Sequence, residues 1–167
     1  PRPVPRLPGP TTKAKPRRAA KKKDTAKKRA RRKAAQPPLA PEVAVARTRD
    51  LLPPRERAAL EALFGDAVDD VEIVERSWYA RLHFGARATT RRNRILLRGS
   101  IADFRADRAL LLHEYFHVLR QWNRGRMSLR GYLAEWLRNG YWRNRYERQA
   151  RRFVHLRLAA FERLLAG

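Results

Sequence analysis

From Val45 onward, large apolar side chains recur at spacings that predict discrete elements. Pro53-Pro54 suits the first turn of a helix through Arg57, Ala58, Leu60, Ala62 and Leu63, and Gly65 ends it. Three strand-like segments follow. Val71–Arg76 sets Val71, Ile73 and Glu75 against Glu72, Val74 and Arg76; Trp78–Phe84 puts Leu82 and Phe84 on one face; Arg94–Arg98 carries Ile95, Leu96 and Leu97. The polar stretch Gly85–Asn93 reads as the turn between the second and third strands, and Gly99-Ser100 breaks the pattern. Beyond residue 102 the period is helical. One helix runs from Asp103 or Asp107 to Trp122, closed by Asn123-Arg124-Gly125. A second starts after the N-cap Ser128 and ends at Asn139-Gly140, with Leu133, Trp136 and Leu137 directed to the core. A third runs from Trp142 to Leu165. Trp78, Trp122, Trp136 and Trp142 are expected in the core. The pattern predicts a small α+β domain: a short three-stranded sheet covering a central apolar helix, with two further helices completing the core.

Composition divides the chain. Residues 1–40 hold 15 Lys or Arg and a single acid, and almost no large apolar side chain. Such a segment cannot bury enough surface to offset its ordering entropy, so residues 1–44 are expected to be a disordered basic tail and 45–167 the folded domain. Lys21-Lys22-Lys23, Lys27-Lys28-Arg29 and Arg31-Arg32-Lys33 resemble the basic tails of histone-like proteins. They are candidates for sequence-independent, salt-dependent contact with nucleic acid or another polyanion. The chain has no cysteine, which excludes disulfides and thiolate metal sites, so any metal must be held by histidines and carboxylates. No apolar run approaches the roughly 18 residues of a membrane span, and the first residues lack the apolar stretch of a secretory signal. The default expectation is a cytoplasmic protein, with export by a dedicated secretion machine as the alternative.

The chemistry concentrates in His113-Glu114-Tyr115-Phe116-His117. On a helix, His113 and His117 project from one face a turn apart, where two imidazoles can share one tetrahedral ion, and Glu114 lies beside them. Leu110, Leu111, Leu112, Tyr115, Phe116, Val118 and Leu119 surround the polar trio. Two histidines and a glutamate in so apolar a run would be costly without an ion or a hydrogen-bond network. Catalytic zinc usually takes three protein ligands and leaves one position for water. Glu135, Glu147, His155 and Glu162 are the downstream candidates. Spacing alone favours Glu135, but helical faces favour Glu147, which heads the stripe Ala150, Val154, Leu158, Phe161 and Leu165.

Two segments carry a family likeness: Leu110-Leu111-Leu112-His113-Glu114-Tyr115-Phe116-His117-Val118-Leu119-Arg120-Gln121-Trp122 and Asn144-Arg145-Tyr146-Glu147-Arg148-Gln149-Ala150. Residues 100–153 resemble the small gluzincin-type zinc metallopeptidases. They are most similar to the metallopeptidase domains of proteins linked to contractile injection systems and polymorphic toxins. The resemblance implies a zincin-like fold, zinc held by His113, His117 and Glu147, Glu114 as general base, and a peptide or protein substrate. The expected reaction is hydrolysis, in which Glu114 takes a proton from a zinc-activated water and passes it to the leaving amine. Tyr132, Tyr141, Tyr146 and the many arginines are candidates to donate to the oxyanion, and the strand around Ile95–Leu97 to offer an edge to the peptide. Two other readings compete: a basic nucleic-acid-binding protein, and an inactive zincin-fold interaction module of a secretion or phage-like assembly.

Overall fold

In the computed structural model, residues 45–82 and 86–167 are described. The basic segment and its candidate contacts at Lys21 to Lys33 lie outside them. The domain is α+β, built on a mixed sheet of four strands rather than three: β1 (Val45–Arg47), β2 (Glu72–Val74), β3 (Ala88–Arg91) and β4 (Arg94–Leu97). The order across the sheet is β1-β2-β4-β3, with β2 and β4 parallel and both outer pairs antiparallel. The helices are α1 (Thr48–Leu51), α2 (Pro54–Phe64), α3 (Trp78–Leu82), α4 (Ile101–Ala106), α5 (Arg108–Phe116), α6 (Leu129–Arg143) and α7 (Arg145–Ala166), with a π-helical turn at His117–Trp122 following α5.

Two of the sequence expectations exchange places. The segment from Trp78, expected as a strand, is helical as far as Leu82. Arg76 adopts a left-handed φ of 49°, which ends the β2 extension, and Arg81 N then donates to Ser77 O. Ala80 is fully buried while Trp78 is 66% exposed, a split that the alternation of one strand face cannot produce. The expected turn, in contrast, contains strand β3, whose Thr89 and Thr90 suit a pleated surface. Arg92-Asn93 is the real turn, with Asn93 supplying the positive φ of 54°.

The core lies between the sheet and the helices. Ile73, Ile95 and Leu97 from the sheet meet Leu111, Leu112, Tyr115 and Val118 of the α5 segment, and Leu60, Phe64 and Phe161 close the other side. Phe153 joins α7 to this layer by stacking on Phe64 at 4.8 Å and leaning on Phe116 at 5.0 Å. The tryptophans are not core residues. Trp78, Trp136 and Trp142 are exposed, and Trp122 is half-buried, with its indole N–H donating to Thr90 Oγ1 at 3.2 Å. β4 is interior, with β1 and β3 as the outer strands, so on its side of the sheet the edge belongs to Ala88–Arg91 rather than to Ile95–Leu97.

Candidate metal centre

The motif helix is made in two pieces. Asp107 caps α5 by accepting from Leu110 N at 2.9 Å, which starts the helix close to His113. Directly after Phe116 the backbone widens into the π-helical turn, in which Asn123 N donates to Val118 O and Arg126 N to Gln121 O, both at 2.9 Å. Such turns recur at functional sites. The first turn of α7 faces this segment. Asn144 caps it through Tyr146 N at 2.9 Å, and Glu147 falls at the third helical position, where an acid is favoured by the helix dipole.

These elements bring His113, His117 and Glu147 together. His113 Nε2 and His117 Nε2 are 3.0 Å apart; Glu147 Oε2 is 3.1 Å from the first and Oε1 is 3.5 Å from the second. Donors about 2.0–2.2 Å from a tetrahedral ion stand roughly 3.3–3.5 Å from one another, so the donors lie within a few tenths of an ångström of the spacing that one small cation needs. Glu135 is elsewhere. Its Oε1 accepts from Asn139 Nδ2 at 2.8 Å and from Arg145 N at 3.3 Å, so it secures the junction of α6 and α7. His155 and Glu162 are exposed and are not in the cluster.

Gln121 determines which nitrogen of His117 faces the cluster. Gln121 is 1% exposed, and its Nε2 donates to Tyr146 O and to Gln149 Oε1, both at 3.1 Å. A main-chain carbonyl can only accept, which fixes the orientation of the amide. Oε1 therefore accepts from His117 Nδ1 at 2.7 Å. With its proton on Nδ1, a neutral His117 turns the bare lone pair of Nε2 toward His113 and Glu147. Two ring nitrogens and a carboxylate converging in this way satisfy one another poorly and a cation well. The donor set therefore fits a zinc ion. Sequence reasoning quoted Gln121 only as part of a motif. The signal was available, because a polar residue four positions after His117 in an apolar run shares its helical face.

Burial and charge shape the titration of the group. Burial pushes the Glu147 carboxyl up, but hydrogen bonds from His113 and His117 outweigh it and hold it well below the usual carboxylate range. Burial pulls His117 down, yet its hydrogen bond to Glu147 and that residue's charge leave it raised. Glu114 is buried and raised, desolvation overcoming the favourable charges of His117 and His113. Tyr132 Oη donates to Glu147 Oε1 at 2.9 Å. Burial, then the Glu147 charge, keep both Tyr132 and Tyr141 protonated far above the ordinary phenol range. Tyr146, the third tyrosine candidate, accepts from Arg145 Nη2 at 2.8 Å and stacks on Tyr132.

β3 lies against α5 and the π-helical turn. Arg91 and Arg94 close the hairpin, and Arg98 N donates to Arg87 O at 2.9 Å, so the backbone groups of Ala88 and Thr90 point to the free edge.

No curated protein and no solved structure matches the chain. Residues 51–125 are similar to the eCIS core domain, a domain associated with extracellular contractile injection systems. The match takes in His113, Glu114, His117 and Gln121 and stops short of α6 and Glu147.

Proposed function

We propose that the chain is a zinc-dependent hydrolase acting on peptide bonds, with His113, His117 and Glu147 as metal ligands and Glu114 as general base. The observation that supports it most is the tautomer imposed on His117 by Gln121, which aims a lone pair at two other donors within 3.5 Å. Bound there, zinc would supply Lewis acidity and lower the pKa of a water to about 7. Glu114 would serve as the general base toward a water and as the acid toward the leaving nitrogen. Tyr132 and Tyr141 both hydrogen-bond Glu147, and Tyr141, the more exposed of the two, is the phenol that would turn to donate to the oxygen of the scissile carbonyl. An extended peptide would pair with the outward backbone groups of β3, displacing the Arg91 guanidinium that donates to Thr90 O at 3.0 Å.

Glu114→Gln should retain stoichiometric zinc and lose turnover; an active variant defeats the mechanism. Glu147→Ala should lose the metal and Glu135→Ala should keep it, as read by elemental analysis of protein purified without a histidine tag. The similarity to the eCIS core domain favours a second reading, in which the domain is a zinc-binding module of an injection assembly without turnover. Full zinc occupancy with no cleavage across a peptide library would select it. The basic segment at Lys21 to Lys33 would add polyanion contact to either reading.

A further inference from the structure

α6 is amphipathic with its apolar side outward. No residue of α6 is buried, and the helix packs chiefly on α7. Its orientation is fixed from the inner side. A Cβ on Gly131 would stand 3.0 Å from Tyr146 Oη and 3.1 Å from Ser128 Oγ, so a larger residue would push these neighbours back. Tyr132 must reach Glu147, and Glu135 accepts the first backbone N–H of α7. Rotating the helix to bury its leucines would break all three arrangements. Leu129, Leu133 and Leu137, four residues apart, therefore form an outward crest with Trp136 beside them, and Leu137 is 70% exposed. Past a kink at Gly140, Trp142 continues the exposed apolar surface, while Tyr141 shows part of its ring there and keeps its hydroxyl on Glu147. Six of the ten large apolar side chains exposed among the described residues belong to this one helix, a concentration that scattered exposure does not produce.

We propose that this crest docks on the surface of an anionic lipid bilayer. The exposed Arg130, Arg138 and Arg143 of the same helix make no ion pair among the described residues. Apolar area and positive charge thus both lie unsatisfied on α6, and a bilayer interface with acidic headgroups satisfies both. Tryptophan and tyrosine are the side chains that settle at headgroup depth. The crest is a row of outward side chains on a helix with no buried residue, which a flat lipid surface can meet along its length. A second copy is disfavoured, because a chain of net charge +24 repels itself and is drawn to an anionic plane. None of the described helices is long and apolar enough to cross a membrane, so α6 lies in the interface. Membrane docking does not depend on whether the metal centre is hydrolytic.

The test uses the full chain in flotation with phosphatidylcholine vesicles, with and without phosphatidylglycerol, at low salt and at salt that screens the other basic residues. The variant is Leu133→Ser with Leu137→Ser, two exposed positions whose change leaves the fold and zinc binding intact. The expected result is binding to the anionic vesicles with a blue shift of tryptophan emission. The double variant should partition on the order of tenfold or more weakly at the higher salt. Equal binding by both proteins would mean that charge alone carries the contact, and would overturn the proposal. So would wild-type self-association that the variant abolishes, assigning the crest to a second copy. Failure of the wild-type protein to bind would leave the crest to a protein partner's groove and sink the proposal as well.

Discussion

Replacing Gln121 by Leu keeps the volume of a fully enclosed side chain and removes its three hydrogen bonds. Two consequences separate cleanly. The His117 Nδ1–H is left without a partner and the Tyr146 carbonyl keeps only its helical bond, so the metal-free protein should lose about 1–3 kcal/mol in urea unfolding. Zinc affinity should fall for a different reason. A ring that donates electrons to a cation becomes a stronger Nδ1–H donor, so the bond to Gln121 is worth more with metal bound. Loss of such a second-sphere partner typically weakens metal binding about 10–100-fold, or ~1.4–2.8 kcal/mol. Gln121→Glu divides the two effects. Its carboxylate still accepts from His117 Nδ1 but opposes the Tyr146 carbonyl, so affinity should largely survive while stability falls. Chelator competition measures the first quantity and urea unfolding of metal-free protein the second. If Gln121→Leu binds zinc as tightly as wild type while its stability drops, the amide merely holds α5 to α7, and the tautomer reasoning is wrong.

Proton linkage gives a second expectation. His117 is raised above its usual value in the metal-free fold, so its contribution to stability is full below about 6.5 and disappears as pH rises through the raised value. Zinc must displace that proton, so affinity should rise over the same interval, with proton release visible as buffer-dependent binding heat. Binding heats that are the same in buffers of different ionisation enthalpy would contradict it. Away from the site, Glu56 is buried and grips Arg105 through two bonds of 2.9 Å and Arg108 through one of 3.1 Å. Burial pushes its carboxyl up, but the arginines prevail and hold it low, so its stabilisation is complete above about 4.5 and is lost as pH falls through the depressed value. Glu56→Gln should cost about 3 kcal/mol at neutral pH and flatten the acid limb of the stability curve. Thr48 Oγ1 donates to Val71 O at 2.9 Å, so the 2.6 Å contact with Tyr115 has the phenol as donor. Thr48→Val strands that buried hydroxyl and should cost about 1–3 kcal/mol in thermal or urea unfolding.

The motif at His113–His117 was legible because its chemistry is local: two imidazoles a turn apart need only a helix to converge, and the apolar flanks showed that the helix is buried. Glu147 could be favoured over Glu135 because it heads a long apolar stripe. What could not be read depended on partners distant in sequence. Trp78–Leu82 alternates like a strand, yet the left-handed Arg76 and the bond from Ser77 N to Leu97 O turn it into a helix beside β4. The short β3 carries too few apolar residues to announce itself, and it exists because β4 lies ready to pair with it. Nothing near Gln121 in the sequence reveals that the Tyr146 carbonyl, 25 residues on, fixes its amide.

The faces of α6 illustrate the same limit most sharply, and tie the metal centre to the surface. Periodicity assigned Leu133, Trp136 and Leu137 to the core, since burying about 1.5–3 kcal/mol of apolar side chain apiece normally decides how a helix turns. Here polar and steric demands prevail: Tyr132 on Glu147, Glu135 on Arg145 N, and Gly131 against Tyr146. These contacts require α6 to face the cluster with its small and hydrogen-bonding residues. The leucines are left outside as a consequence of building the site. A helix under that constraint would be expected to carry polar residues on its outer face unless something covers it. Leu129, Leu133, Trp136 and Leu137 in those positions are therefore the part of the chain that the isolated domain does not account for, and the part whose replacement should leave zinc binding intact while changing what the domain adheres to.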